Sequence, residues 1–234
     1  TFTIALAKQC FLNEYVYYCT QEEVKALDTI ETRYISNNYR EDLLSILACY
    51  RPLYKIKRIL PYIEDKASFS NNLQEIIEIQ LKENLLEKQI EKQIEKVGTI
   101  KDIVSNKVKA QYEENPYPRW RYTNYFKSQS YSIPEIINSE TNNNIVMDNG
   151  DDDNKNPIIL IAGCGTGEQA ISAYKYKNAQ IIAIDLSLSS LSYAKRKSIE
   201  LGISNIRFIQ MDIMDISKLD IKFDVIECSG VIHH

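Results

Sequence analysis

The chain has 234 residues, of which 32 are acidic and 28 are lysine or arginine, giving a formal net charge of −4 at pH 7. No basic run is long enough to indicate a nucleic-acid partner, and no apolar stretch reaches the roughly 18 residues of a membrane-spanning helix. The five cysteines are scattered and form no Cys-x-x-Cys pair, which argues against a zinc site and a disulfide framework. We therefore predict a cytoplasmic protein from a reducing compartment.

Residues 1–110 are predicted to form a helical N-terminal region. Residues 40–50 carry leucine and isoleucine at spacings that fit one buried helical face. The longest candidate helix covers residues 73–97. Its residues 87–96 contain a four-residue repeat, which fits either a coiled-coil seam for dimerisation or a solvated helix with one buried stripe. The second interpretation is favoured, because the repeat does not continue as a heptad.

An aromatic segment and a linker are predicted over residues 111–156. Pro116 and Pro118 exclude a regular helix there. Aromatic residues are more frequent than in a plain linker, namely Tyr112, Tyr117 and Trp120, the only tryptophan. The segment is therefore either an aromatic clamp that packs two domains or a lid over the pocket of a cofactor or substrate.

The linker itself, residues 138–156, is rich in Asn and Asp, which predicts a flexible surface segment. A calcium site was considered at residues 148–151. These residues lack the terminal glutamate and the spacing of an EF-hand loop, so no metal site is predicted.

A predicted buried strand, Ile158 to Ala162, leads into the glycine-rich residues 163–167. Alternating glycines allow a tight bend that exposes backbone N–H groups and lets a ligand approach closely. Read from Gly165, the motif fits a dinucleotide site. Read from Gly163, it places Glu168 where the third glycine of that motif would stand. A carboxylate disfavours a pyrophosphate but suits a positively charged cofactor, so S-adenosylmethionine is favoured over NAD.

Further strands and a helix follow in an order typical of an α/β sheet. Residues 180–184 are a predicted strand ending at Asp185, whose two carboxylate oxygens can accept both hydroxyls of a ribose. A helix begins near Ser187, and two more strands are predicted at residues 206–210 and 223–228. This alternation predicts parallel strands with right-handed crossovers and flanking helices.

These motifs together resemble the first half of a class I S-adenosylmethionine-dependent methyltransferase, over residues 157–234. The resemblance implies a Rossmann-like sheet, S-adenosylmethionine as cofactor, and cofactor contacts from Gly163, Cys164, Gly165, Gly167, Glu168, Asp185, Leu186, Asp212, Ile213 and Glu227. Asp212 matches the family residue that often contacts the adenine amino group, and the Ile213 backbone lies beside it in the sequence. Cys164 is interpreted as a small residue filling the loop rather than as a nucleophile.

The aromatic segment, with residues 7–16, resembles a bacterial subgroup of these enzymes that is often attached to tetratricopeptide repeats. The family sheet has seven strands, whereas this chain stops after the fourth, so the resemblance implies a fragment with a truncated sheet. The alternative to a methyltransferase is that the chain is a truncated, inactive remnant that acts at most as a helical interaction module.

Methyl transfer from a sulfonium requires alignment and exclusion of water rather than a nucleophilic side chain. His233 and His234 are weak candidates for a general base, because imidazole titrates near neutrality. The alternative is that both only line the loop after the fourth strand. The methyl acceptor, a protein or a small molecule, cannot be derived from these residues, and neither can the oligomeric state.

Overall fold

The computed structural model describes residues 2–36, 40–63, 69–123, 130–142, 144 and 156–231. The chain divides into two compact units. The first comprises residues 1–89 and 117–119, and the second comprises residues 90–116 and 120–234. The architecture is α/β, with parallel strands and flanking helices, which confirms the predicted fold class.

The secondary-structure elements described in the first unit are helices and helical turns. They form α1 (Phe2–Leu12), α2 (Gln21–Ser36), α3 (Glu41–Tyr50), α4 (Asn71–Ile77) and α5 (Glu83–Glu91), with 3-10 turns at Leu53–Lys55 and Leu60–Tyr62 and a π-helical turn at Glu78–Lys82. Leu44, Leu47 and Ala48 of α3 are fully buried in the core of this unit. The predicted buried face of residues 40–50 is therefore confirmed.

The prediction of one helix over residues 73–97 is wrong. A π-helical turn interrupts it at Glu78–Lys82, where the buried Gln80 side chain accepts a hydrogen bond from the Leu53 N–H at 3.2 Å. The helix then ends at Glu91, because Glu95–Lys96 pairs with a strand of the sheet. The four-residue repeat thus divides between a helix and a strand, and neither interpretation of it as a continuous helix holds.

The second unit contains a parallel sheet, which within the described residues has the strand order β1-β4-β3-β2-β5. The strands are β1 (Glu95–Lys96), β2 (Ile158–Ala162), β3 (Gln180–Asp185), β4 (Ile206–Gln210) and β5 (Val225–Glu227). The helices are α6 (Ile103–Glu114), α7 (Ile133–Thr141), α8 (Glu168–Ser172) and α9 (Leu188–Glu200), with 3-10 turns at Ala173–Lys175 and Ile213–Leu219. Both faces of β2 are buried, as expected for a central parallel strand.

The long stretch of the first unit runs to Gln89, whereas the helical N-terminal region was predicted over residues 1–110. Ile90 and Ile94 pack in the apolar core beneath the sheet, and Glu95–Lys96 adds an edge strand to β4. Arg207 of β4 binds Glu95 through two hydrogen bonds of 2.9 and 2.7 Å, which secures this edge.

The predicted linker of residues 138–156 begins inside α7, which continues to Thr141. Residues 145–155, and with them the segment considered for calcium, lie outside the described residues. Among the described residues, no group of His, Cys, Asp or Glu is arranged to hold a metal ion. No helix in this described part of the chain is long and apolar enough to cross a membrane.

Candidate functional site

Residues 163–167, the glycine loop, connect β2 to α8. Gly163, Gly165 and Gly167 have φ angles of 74°, 50° and 90°, in the left-handed region that favours glycine. A Cβ atom on Gly163 would lie 2.2 Å from Val231, and one on Gly167 would lie 2.4 Å from Ala194. A Cβ atom on Gly165 would meet nothing within 4 Å among the described residues. Two of the glycines therefore permit close packing, whereas Gly165 faces space that a ligand can enter.

Most N–H groups of the glycine loop donate hydrogen bonds within the protein. The N–H groups of Gly163 and Cys164 both donate to the Ile184 carbonyl at 2.9 Å. The Gly165 N–H donates to Asp185 Oδ2 at 2.8 Å, and the Gly167 N–H donates to the Cys164 carbonyl at 2.9 Å. The expectation that the bend exposes these groups to a ligand is therefore wrong for these four residues. Because a pyrophosphate depends on such donors, the geometry favours a cofactor without phosphate.

The carboxylate of Asp185, at the end of β3, joins the glycine loop to α9. Its Oδ2 accepts the Gly165 N–H, and its Oδ1 accepts the Ser187 N–H at 2.9 Å. Burial raises the pKa of Asp185, although these N–H donors act in the opposite direction. Each carboxylate oxygen can accept a second hydrogen bond, so the side chain retains capacity for ligand hydroxyls while its orientation is held by the backbone.

The last turn of α6 lies beside Asp185; its Tyr112 belongs to the segment predicted as a clamp or a lid, whereas Glu113 was not singled out. The Tyr112 carbonyl accepts a hydrogen bond from the Ser187 hydroxyl at 3.0 Å, and the Glu113 carboxylate accepts the Ser189 N–H at 3.4 Å. The charge of Glu113 contributes to raising the pKa of Asp185. Nothing in the local sequence pattern around Glu113 indicates this role, since it arises from the packing of α6 against α9.

Asp212, Ile213 and Leu186 also lie at the carboxyl edge of the sheet. Asp212 follows β4 and is buried, and its Oδ1 accepts the Met214 N–H at 3.0 Å, which caps the 3-10 turn that begins at Ile213. The Leu186 carbonyl accepts a hydrogen bond from the Gln210 amide at 2.8 Å. The ends of β3 and β4 are thereby held together, next to the glycine loop.

The predicted acidic contacts Glu168 and Glu227 lie in different surroundings. Glu168 is the first residue of α8 and is exposed. Glu227 ends β5 and accepts a hydrogen bond from the Tyr176 hydroxyl at 2.7 Å, with the Lys175 ammonium 3.6 Å away. Burial, with the hydrogen bond to Glu227, raises the pKa of Tyr176. His233 and His234 lie outside the described residues.

Trp120 from the aromatic segment contacts the glycine loop directly. Its indole N–H donates to the Thr166 carbonyl at 3.0 Å, and both residues are buried. Its ring packs edge-on against Tyr193 of α9, with centroids 6.1 Å apart, and the Tyr193 hydroxyl donates to the Trp120 carbonyl. The sequence singled out this tryptophan, but its bond to the loop was not predicted.

Residues 153–234 match a family model described as a methyltransferase domain. This match agrees with the methyltransferase domain predicted over residues 157–234 and with S-adenosylmethionine as its cofactor. It gives no support to the alternative of an inactive remnant. The resemblance to the subgroup attached to tetratricopeptide repeats, and the expectation of a fragment, stay predictions.

Two curated relatives are similar to parts of the chain. The uncharacterized protein syc1184_c of Synechococcus is 29% identical over 149 residues, covering 57% of this chain and 31% of the relative. The uncharacterized protein RP789 of Rickettsia prowazekii is 33% identical over 121 residues, covering 51% of this chain and 21% of the relative. The chain thus spans less than a third of the length of either relative.

Two solved structures are similar to this chain, with low TM-scores. PKMT2 from Rickettsia typhi, in complex with AdoHcy, is 28% identical over 32% of this chain and 15% of that protein, with a TM-score of 0.29. Coclaurine N-methyltransferase, bound to N-methylheliamine and SAH, is 18% identical over 97% of this chain and 55% of that protein, with a TM-score of 0.31. Neither similarity is close enough to assign a substrate.

Proposed function

We propose that the chain binds S-adenosylmethionine at the carboxyl edge of the sheet and takes part in transferring its methyl group to an acceptor. One observation carries this proposal. The Asp185 carboxylate holds the N–H groups of Gly165 and Ser187, and directly beside it Gly165 faces space that a ligand can enter. A carboxylate held in one orientation can accept the hydroxyls of a ribose, and the space facing Gly165 can take the rest of a nucleoside that carries no phosphate.

The residues at this edge fit the parts of such a cofactor. Asp185 would accept hydrogen bonds from the ribose hydroxyls, since its oxygens keep unused acceptor capacity. Asp212, with the Ile213 backbone, would contact the adenine. Leu186, which follows Asp185 directly, would lie against the cofactor between them. The glycine loop, with Gly163, Cys164, Gly165 and Gly167, would pass along the amino-acid part of the cofactor.

The negative groups Glu168 and Glu227 would favour the positive charges of the amino-acid part and the sulfonium. When bound, the cofactor supplies a methyl group on an already activated carbon. The chain's own residues therefore need only align the acceptor and exclude water. The acceptor, a protein or a small molecule, would approach along the loop after β5, which leads to His233 and His234.

Calorimetric titration of the chain with S-adenosylhomocysteine, and with NAD as the control, tests this function. We expect saturable binding of S-adenosylhomocysteine and no heat from NAD, because four of the five N–H groups of the glycine loop already donate within the protein and are not offered to a pyrophosphate. Binding of NAD instead would show that the dinucleotide interpretation of the motif is right. Binding of neither compound would show that the described sheet does not form a working site.

A further inference from the structure

Trp120 belongs to the second unit and is held there by three polar contacts. Its indole N–H donates to the Thr166 carbonyl at 3.0 Å, its own carbonyl accepts the Tyr193 hydroxyl, and the ammonium of Lys197 lies 4.9 Å from its ring centre. The ring packs in an apolar cluster that includes Ile171 of α8. Trp120 is only 8% exposed, so the indole donor is shielded from water.

The Thr166 carbonyl belongs to the peptide that links Thr166 to Gly167, and this peptide is held at both ends. Its carbonyl accepts the indole N–H, and its N–H donates to the Cys164 carbonyl at 2.9 Å. Thr166 stands between two glycines with positive φ, Gly165 and Gly167, which can adopt many other conformations at low cost. The indole bond adds a contact from outside the loop to this bond within the loop, and together they hold the peptide in one orientation.

A loop that is ordered before the ligand arrives loses less conformational entropy on binding. The loop leads from β2 to α8 and contains Gly165, which faces the proposed cofactor space. A different orientation of the Thr166–Gly167 peptide would change the path of the chain next to Gly165, whose N–H donates to the Asp185 carboxylate at 2.8 Å. The effect of Trp120 would therefore reach the cofactor without direct contact.

We propose that Trp120 is a positioning residue, whose indole N–H holds the Thr166–Gly167 peptide in the orientation that binds S-adenosylmethionine. This inference rests on the proposed function and adds a residue from outside the glycine motif to the site. It also gives a role to one residue of the aromatic segment, which contacts the loop through Thr166 rather than closing over the ligand.

The unchanged protein offers a direct spectroscopic test, because Trp120 is the only tryptophan and gives a single indole N–H signal in a 1H–15N spectrum. We expect this signal to exchange slowly with D2O, as a buried and bonded donor does, and to shift when S-adenosylhomocysteine saturates the protein. NAD should leave it in place. Rapid exchange, or an unmoved signal at calorimetric saturation with S-adenosylhomocysteine, would overturn the proposal.

Three variants separate the hydrogen bond from the packing. Trp120→3-benzothienylalanine keeps the ring shape but replaces the N–H with sulfur, and Trp120→Phe removes the donor with part of the ring. Tyr15→Phe is the matched control, because it removes a tyrosine hydroxyl bond to a backbone carbonyl, that of Ala48 in the first unit, and leaves the bond from Trp120 to Thr166 intact. We expect both Trp120 variants to bind S-adenosylhomocysteine about 3- to 10-fold more weakly, and Tyr15→Phe to bind nearly as tightly as the unchanged protein.

The outcomes are distinguishable. Unchanged affinity in Trp120→3-benzothienylalanine, or an equal loss in Tyr15→Phe, would refute the positioning role and leave the proposed function standing. If the unchanged chain binds no S-adenosylhomocysteine, the proposed function fails and this inference fails with it. Circular dichroism shows which variants are folded, and for one that does not fold, the exchange measurement on the unchanged protein decides.

Discussion

Two alanine substitutions in the glycine loop should separate ligand binding from stability. Gly165 and Gly167 both have positive φ, so Gly165→Ala and Gly167→Ala each place a Cβ atom in a disfavoured conformation that costs about 1–2 kcal/mol. The surroundings differ. The new Cβ atom at position 167 would lie 2.4 Å from Ala194 Cβ and 3.0 Å from its Cα, which is helix backbone, whereas the one at position 165 meets nothing within 4 Å among the described residues.

The clash in Gly167→Ala adds the cost of overpacking, about 1–3 kcal/mol, because α9 must move away from the loop. Its free energy of unfolding should therefore fall by about 2–5 kcal/mol, and that of Gly165→Ala by only about 1–2 kcal/mol. In Gly165→Ala the methyl group enters the proposed cofactor space, so we expect binding of S-adenosylhomocysteine to weaken by about 1–3 kcal/mol, or roughly 5- to 150-fold.

Urea unfolding measures the first quantity, and calorimetric titration measures the second on variants that remain folded. The unchanged protein and a variant at an exposed position, Tyr122→Phe, serve as controls. Equal stability of the two glycine variants would refute the packing argument at Ala194. Tight cofactor binding by Gly165→Ala would show that the space facing Gly165 is not the ligand's.

Three further substitutions test the electrostatics. Because burial raises the pKa of Asp185, folding takes up a proton, and stability should decline as the pH rises from the ordinary aspartate pKa through the raised one. The Asp185→Asn variant should show no such decline when its urea unfolding is followed across pH. An equal decline of stability in this variant would contradict the raised pKa of Asp185. Arg119→Ala removes a buried guanidinium, leaves the partly buried Glu14 carboxylate without its ion-pair partner and should lower the free energy of unfolding by about 3–5 kcal/mol; a loss below about 1 kcal/mol would show that the pair is solvated. Arg207→Ala removes the exposed ion pair with Glu95 at the sheet edge and should lower the free energy of unfolding by about 0.2–1 kcal/mol, with a smaller loss as salt is added. A loss that does not change with salt would contradict a charge interaction.

The sequence predicted the strands that carry the site because their signal is local. Ile158–Ala162 is a short continuous apolar run that ends at glycines, a pattern typical of a buried parallel strand. The short strand Glu95–Lys96 could not be predicted in this way, since two charged residues continue a helical pattern. Its pairing with β4, supported by Arg207, decides its conformation.

The site shows the same division between local and distant information. The position of Asp185 at a strand end, and the glycines of the loop, follow from residues close together in the chain. That the Asp185 carboxylate takes up the Gly165 N–H, and that Glu113 lies beside it, depends on residues 20 or more positions apart. Such bonds form only when the sheet and its helices are assembled.

By itself, the sequence determined the α/β class, the order of the main strands and the place of the glycine loop, because apolar periodicity and glycine act over a few residues. Tertiary structure alone decided which loop N–H groups are taken up within the protein and which side chains support them. The bond from Trp120 to Thr166 joins residues 46 positions apart, and no local pattern encodes it. Its physical origin is the packing of the indole between α8 and α9, which places the donor against one carbonyl of the loop.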